Sequence, residues 1–272
     1  MCELYALNAN VPVAATFSFR GLAARGGLTG DHVDGFGMAF HDGVGCRVFV
    51  DDAPASHSPL ASFLSQQPLR APTVLAHLRK ATQGGVSLAN CHPFRREWAG
   101  RSWLFAHNGD LRHFHPSLDD HFHPVGQTDS ERAFCWLLQR LQRRYAGGPL
   151  PAWPELAAVV QPWLQQLGTH GTFNAILSDG RAVLAHATTR LSWLERQHPF
   201  GTVRLVDEAL ELDLAAANRP GDRMVLLATA PLTHAEPWQA FEPGETRLFM
   251  DGRSVWHARS ATAENESFVH AA

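Results

Sequence analysis

Met1-Cys2-Glu3-Leu4-Tyr5-Ala6-Leu7 opens the chain with a short, mostly apolar run that suits a buried strand. It places a cysteine second. Removal of a methionine that precedes a small residue would leave Cys2 with a free α-amine. Such an amine has a pKa of about 7.7–8.0 and can act as a base near neutrality. Thiol and base would then sit on one residue and need no further positioning. Alone, a cysteine at position 2 is more often an accident than a nucleophile.

Outward from that strand, Asn10 followed by Pro12 predicts a capped helix over about 12–25, ended by Gly26-Gly27. Residues 35–40 and 46–50 read as paired strands around the Asp42-Gly43 turn. Ser58-Pro59 opens a short helix toward Gln67, and residues 73–79 and 103–108 read as buried strands with polar residues at their ends. The period then changes. Phe134, Leu137, Leu138, Leu141 and Tyr145 share one helical face, and Thr128 with Glu131 gives the capping-box pattern at its start. Leu156, Val159, Val160, Trp163, Leu164 and Leu167 repeat the helical spacing. Strands return at 173–178 and 181–186, around Asp179-Gly180, and again at 224–228 and 246–250. Gly147-Gly148-Pro149-Leu150-Pro151 is read as joining two helices of one domain, and the tail from about 261 is expected to fray. Strands on both sides of a helical middle suggest a layered α+β domain over residues 1–272.

The bulk properties exclude several classes. A net charge of −3 with a pI near 6.6 advertises no face for nucleic acid. No apolar run is long enough for a bilayer and the first residues do not read as a signal peptide, so no membrane partner and a cytoplasmic location are expected. Four cysteines form no CxxC pair, which argues against zinc or a redox dithiol. Lys80 is the only lysine among 23 Lys and Arg residues, which leaves Schiff-base chemistry one candidate.

Three further segments change the reading of Cys2: His77-Leu-Arg-Lys-Ala-Thr-Gln-Gly84, His107-Asn-Gly109 and Gly126-Gln-Thr-Asp-Ser-Glu131. Acyl transfer from glutamine needs a nucleophile, an oxyanion hole, a cation for the α-carboxylate and an anion for the α-ammonium. Cys2, Asn108 with Gly109, Arg79 and Asp129 supply one of each. In this order the motifs resemble the class II, N-terminal-cysteine glutamine amidotransferases of the N-terminal nucleophile hydrolase superfamily, in particular stand-alone bacterial proteins that begin Met-Cys-Glu-Leu. Asp34-Gly-Phe-Gly37, Asn90-Cys-His-Pro-Phe94, Leu177-Ser-Asp-Gly180 and Ala228-Thr-Ala-Pro-Leu232 extend the likeness to about Gly252.

The resemblance implies an α+β fold, a four-layer αββα sandwich of two mainly antiparallel sheets. It implies a glutaminase that attacks the glutamine side-chain amide with Cys2 through a thioester, with the α-amine of Cys2 moving the proton. Asn108 and Gly109 would hold the oxyanion, Arg79 assisted by Thr82 the substrate carboxylate, and Asp129 its ammonium. No cofactor and no metal are implied. With the glutaminase filling the chain, the ammonia would pass to a separate synthase, or the enzyme would hydrolyse a larger γ-glutamyl amide for its own sake. Lys80 stands where many members carry Trp, and Phe36 where Trp is common. Alternation turns Lys80 away from the face of Arg79, so little catalytic effect is expected.

Two readings from other classes stay open. One is a metal-dependent hydrolase built on His113, His115, Asp119, Asp120, His121 and His123, against which stands a solvated histidine-rich loop. The other is a non-catalytic regulatory or binding protein with a relict site. Cys46, Cys91 and Cys135 are read as inert thiols, Trp98, Trp103, Trp136 and Trp163 as packing, and the Asp31, His32 and Asp34 loop as either a cover over substrate or plain surface.

Overall fold

The computed structural model describes residues 2–119 and 121–259. The expected fray from about 261 lies outside them. The elements run β1 (Glu3–Ala14), α1 (Thr16–Ala24), β2 (Phe36–His41), β3 (Cys46–Asp51), α2 (Pro59–Gln66), β4 (Arg70–Leu78), β5 (Phe94–Trp98) and β6 (Arg101–Leu111). Two long helices follow, α3 (Asp129–Tyr145) and α4 (Trp153–Gly168). The remainder is β7 (Gly171–Ser178), β8 (Ala182–Ala187), β9 (Ser192–Gln197), β10 (Thr202–Leu205), β11 (Glu211–Asp213), α5 (Leu214–Ala217), β12 (Arg223–Ala228), β13 (Thr233–His234), β14 (Gln239–Ala240), β15 (Glu245–Met250) and β16 (Arg253–Ala258).

Side-chain alternation builds the layers. Along β1, Tyr5, Leu7 and Ala9 enter one apolar cluster while Leu4 and Ala6 enter another. β4 divides in the same way, as Val74, Ala76 and Leu78 against Leu75, and β12 as Met224, Leu226 and Ala228 against Val225 and Leu227. A strand apolar on both faces must be covered on both. One cover is α1 and α2, whose Phe19, Leu22, Ala61 and Leu64 join the first cluster. The other is a second sheet, which supplies Leu104, Ala106, Ile176, Val183 and Ala185 to the shared cluster. That sheet turns its opposite face (Trp103, Phe105, Phe173, Leu177, Leu184) to α3 and α4. The result is helix, sheet, sheet, helix.

The first sheet has the order β14-β9-β12-β1-β4-β2-β3 and the second β16-β15-β8-β7-β6-β5. Every pairing within them is antiparallel. A small sheet, β11-β10-β13, stands apart. The four tryptophans pack as expected: Trp103 and Trp136 are buried in the helix-side core, with Trp98 and Trp163 against it.

The helix expected from about 12 to 25 is shorter than its sequence signal. β1 continues to Ala14, and Asn10 caps nothing: its side chain accepts from Arg223 N at 2.8 Å and donates to Gly221 O at 3.0 Å. The strand wins because Val13 and Ala14 regain pairing with Ala71 and Arg70 after a register shift beyond Asn8. Pro12 falls inside that irregularity, where no ladder hydrogen bond is demanded of it. The α3 start follows half of its expected pattern. Thr128 Oγ1 accepts from Glu131 N at 3.1 Å, but the Glu131 carboxylate turns back to Val125 N at 3.0 Å and Gly126 N at 2.7 Å.

Candidate active site

Period two puts a polar set at one end of the inter-sheet layer. Leu4, Leu75, Ala106, Ile176 and Leu227 face that layer. Stepping by two from each reaches Cys2, His77, Asn108, Asn174 and Thr229, all buried. An apolar layer thus ends in a pocket of chemistry.

Cys2 precedes β1, whose Glu3 and Leu4 pair with Leu78 and His77. Its Sγ accepts the Lys80 N–H at 3.3 Å and approaches Lys80 O at 3.4 Å. Burial raises the thiol pKa above its ordinary value; the Lys80 N–H and the Arg79 charge pull it down, and the Asp129 carboxylate pushes it up. Arg79 and Asp129 therefore each lie within electrostatic reach of the Cys2 thiol. The resting group is a neutral thiol that needs a base.

Arg79 is buried, and its guanidinium donates to Gln83 O and Gly84 O at 3.0 Å, Gly85 O at 3.1 Å and Asp34 O at 3.4 Å. Thr82 is exposed on the same loop. Gln83 fastens that loop to Asp110 Oδ1 at 2.6 Å. Lys80 turns outward to an ion pair with Asp31, and Asp34 Oδ2 accepts from Ala81 N at 2.8 Å. The Asp31–Asp34 loop is thus tied to the segment that carries Arg79.

Asp129 is the first residue of α3. Its Oδ2 accepts from Leu111 N at 2.7 Å, and Oδ1 has only a 3.5 Å contact with Ser130 Oγ. His107 explains that long contact. Its Nε2 lies 3.1 Å from Thr172 O, a pure acceptor, so Nε2 carries the proton and Nδ1 accepts from Ser130 Oγ at 2.8 Å. With the Ser130 hydroxyl hydrogen committed to His107, Oδ1 of Asp129 keeps its acceptor capacity.

Asn108 is fully buried. Its Nδ2 donates to Thr229 Oγ1 at 3.2 Å, its backbone O accepts from Asn174 Nδ2 at 3.1 Å, and its Oδ1 has no partner. A buried acceptor left unpaired costs about 1–3 kcal/mol, and such an atom in a native fold calls for a reason. Gly109 is glycine for a packing reason as well: a Cβ there would lie 1.8 Å from Thr172 O, across the β6–β7 pairing.

Cys46, Cys91 and Cys135 have thiols pushed up to about 11 by burial. Among the described residues no three His, Cys, Asp or Glu side chains group as a metal site, and in the histidine-rich loop Asp119 pairs with Arg143 and His121. A cavity of about 470 Å³ lies beside β6 and β7, lined by Asp110, Arg112, Gly171, Thr172, Thr188 and Thr189. Sequence reasoning did not single out Thr229, Ser130 or Asn174. Thr229 lay within a quoted motif, but its role needed the contact between sheets to become visible.

Four buried histidines give the fold a marked acid sensitivity. Burial holds His77 down to about 3 and His186 to about 4, and lowers His92 and His107. Below the ordinary value of 6.5 the unfolded chain binds protons that the folded chain refuses, so stability is lost as pH falls. His186 and His77 each contribute about 1.4 kcal/mol per pH unit, from 6.5 down to about 4 and about 3 respectively, or about 8 kcal/mol together. That is comparable with a typical stability of about 5–15 kcal/mol. Circular dichroism is expected to show acid unfolding with a midpoint between about pH 3 and 5. A chain still folded at pH 3 would mean these imidazoles charge inside the native state.

The sequence model of the family described as "Glutamine amidotransferases class-II" matches residues 1–271. The chain belongs to the class II glutamine amidotransferases. It is 45% identical over 258 residues to "Putative glutamine amidotransferase YafJ" of Escherichia coli K12, covering 94% of this chain and 100% of that relative. Among solved structures it resembles a predicted glutamine amidotransferase from Pseudomonas aeruginosa PA01, with 36% identity and a TM-score of 0.74 over 94% of this chain and 100% of that one. The glutamine phosphoribosylpyrophosphate amidotransferase of B. subtilis shares the fold at 13% identity and a TM-score of 0.53, over 95% of this chain and 49% of that one. As a class II glutamine amidotransferase the protein is an enzyme with an Ntn-type α+β fold. Among the described residues no helix is long and apolar enough to cross a membrane.

Proposed function

We propose that residues 1–272 form one glutaminase domain that hydrolyses the glutamine side-chain amide to glutamate and ammonia, with Cys2 as nucleophile. The observation that carries this reading is a buried thiol within electrostatic reach of Arg79 and Asp129, with the Asn108 amide joined through Thr229 to Leu4, two residues from that thiol.

After Met1 is removed, the α-amine of Cys2 takes the thiol proton and the sulfur attacks the γ-carbonyl carbon. The oxyanion accepts from Asn108 Nδ2–H and the Gly109 N–H, donors fixed before charge develops. The C–N bond breaks, and ammonia leaves with the proton held by the α-ammonium. The same amine then activates water to hydrolyse the thioester, which restores the thiol and gives glutamate.

Asp129 Oδ1 suits the substrate ammonium, since its other oxygen is already held. Arg79 suits the carboxylate, with Thr82 beside it, once the carbonyls of residues 83–85 give way. A second reading, hydrolysis of a γ-glutamyl amide larger than glutamine, is favoured by the cavity beside β6 and β7, whose polar lining of threonines and the Asp110–Arg112 ion pair leaves room for a longer substrate.

Coupled detection of glutamate, the product common to glutamine and to γ-glutamyl conjugates, separates the two by which substrate has the higher kcat/KM. Arg79→Ala and Asp129→Ala should each lose about ten- to a hundredfold in kcat/KM, the effect of one missing charge-assisted bond. Wild-type steady-state behaviour in Arg79→Ala would remove that residue from substrate binding.

A further inference from the structure

β12 ends at Ala228, but its bonding to β1 does not stop there. Thr229 donates its backbone N–H to Leu4 O at 3.1 Å, and its Oγ1 accepts the Leu4 N–H at 2.9 Å. Two bonds thus fasten it to a residue two places from Cys2. The same Oγ1 accepts from Asn108 Nδ2 at 3.2 Å, across the gap between the sheets. One hydroxyl joins the strand that follows the thiol to the strand that carries Asn108. Thr229 is buried, so water does not compete for these bonds.

The seat of this hydroxyl is itself braced. Arg25 donates to Ala230 O at 3.1 Å and Pro231 O at 2.6 Å, while the same guanidinium reaches Glu3 Oε2 at 2.9 Å and Asp207 Oδ2 at 2.7 Å. The residues on either side of the Thr229–Leu4 contact are therefore clamped to one buried cation.

An asparagine amide has a broad, roughly two-fold torsional preference, so an amide that is not held presents N–H or C=O to a site with similar ease. Asn174 holds only the backbone oxygen of Asn108, and the side-chain Oδ1 has no partner. The bond to Thr229 is what orients the amide. Nδ2 carries two hydrogens: one goes to Thr229 and the other remains for an oxyanion.

We infer that Thr229 is a positioning residue for amide hydrolysis, holding the Asn108 amide with its second N–H turned toward the reacting oxygen. This rests on the reaction proposed above. A purely structural tie between the sheets would change melting temperature and leave the kinetic constants of the folded protein alone.

The test compares Thr229→Val, which keeps the shape and removes the hydroxyl, with Thr229→Ser, which keeps the hydroxyl. Thr229→Ala serves if the valine variant does not fold. In ammonia-release assays Thr229→Val is expected to lose about ten- to a hundredfold in kcat, the scale of a misplaced catalytic group, with KM within about twofold. Thr229→Ser is expected to recover most of that loss. In an Asn108→Ala background, Thr229→Val should cost nothing further, because both changes remove one donor.

A second readout is independent of turnover. In ¹⁵N NMR the Asn108 side-chain amide signals should keep their wild-type shifts in Thr229→Ser, and the proton bonded to Thr229 should be displaced in Thr229→Val. Losses that multiply in the double variant, a loss carried by KM, or an unchanged Asn108 amide signal in Thr229→Val would overturn the inference. If wild type releases no glutamate from glutamine or γ-glutamyl amides, the proposed function fails, and the NMR comparison alone decides whether Thr229 holds Asn108.

Discussion

Cys2→Ala is expected to release no ammonia from glutamine above background, while Cys91→Ala and Cys135→Ala keep most of the wild-type turnover. The four cysteines differ in what surrounds them. Cys2 Sγ sits between the Lys80 backbone groups, under the opposing influence of Arg79 and Asp129. Cys91 Sγ is spent on Asp51 O and Ser87 O, both at 3.4 Å, and Cys135 is fully buried in the helix-side core. Alanine at position 2 deletes the attacking atom and little else, because the neighbouring bonds of β1 run through the backbone. Intact mass after incubation with 6-diazo-5-oxonorleucine, a glutamine-like electrophile, gives the complementary result. One adduct is expected on a chain that has lost Met1, and none on Cys2→Ala. Substantial turnover in Cys2→Ala, or an adduct mapped to another cysteine, would sink the nucleophile assignment.

Asn108→Asp is expected to fold, to bind glutamine and to lose about 10²–10³ in kcat, the usual effect of removing one oxyanion donor. The substitution preserves shape, and the replaced group lies at the buried end of the inter-sheet layer. Ionised, the new carboxylate sets a charge against the developing oxyanion. Protonated by burial, it has a single O–H to share between Thr229 and the substrate, where the amide had two N–H groups. Either state weakens transition-state binding more than ground-state binding, so KM should move little. Asn108→Ala separates the alternative that Asn108 only braces the strand, which would lower melting temperature and spare turnover. Near-normal kcat in Asn108→Asp, with an unchanged circular dichroism spectrum, would remove Asn108 from the reaction.

Both results probe positions that the linear sequence nominated, and the reason is local. Cys2 and Arg79 flank strand ends and Asp129 starts a helix, where the period breaks; Asn108 and Gly109 lie within β6, which continues to Leu111 beyond the expected end at 108, and are marked by polar residues interrupting an apolar run. The paired strands around Asp42-Gly43 and around Asp179-Gly180, and the amphipathic faces of α3 and α4, were legible for the same reason. Short strands were not. β9, β10, β13, β14 and β16 carry too few residues, or too many polar ones, to show a period, and they exist because a neighbouring strand offers unpaired N–H and C=O groups. The extension of β1 to Ala14 against the Asn10 and Pro12 helix signal is the same effect: long-range pairing with Ala71 and Arg70 overrode a local cue.

By itself, then, the sequence determined the strand and helix periods, which follow from the spacing of side chains along one chain, and its likeness to the class II glutamine amidotransferases nominated the residues of the proposed chemistry. The tertiary structure decided how those residues are held. That His107 commits the Ser130 hydroxyl and leaves Asp129 Oδ1 open, that Arg79 rests against the carbonyls of its own loop, and that Thr229 bridges Leu4 and Asn108 are contacts between segments 4 to 225 residues apart. Hydrogen-bond direction depends on which donors and acceptors meet in space and on which protons are already taken. No periodicity along a chain encodes that, because the partners become neighbours only when two sheets close on a shared apolar layer.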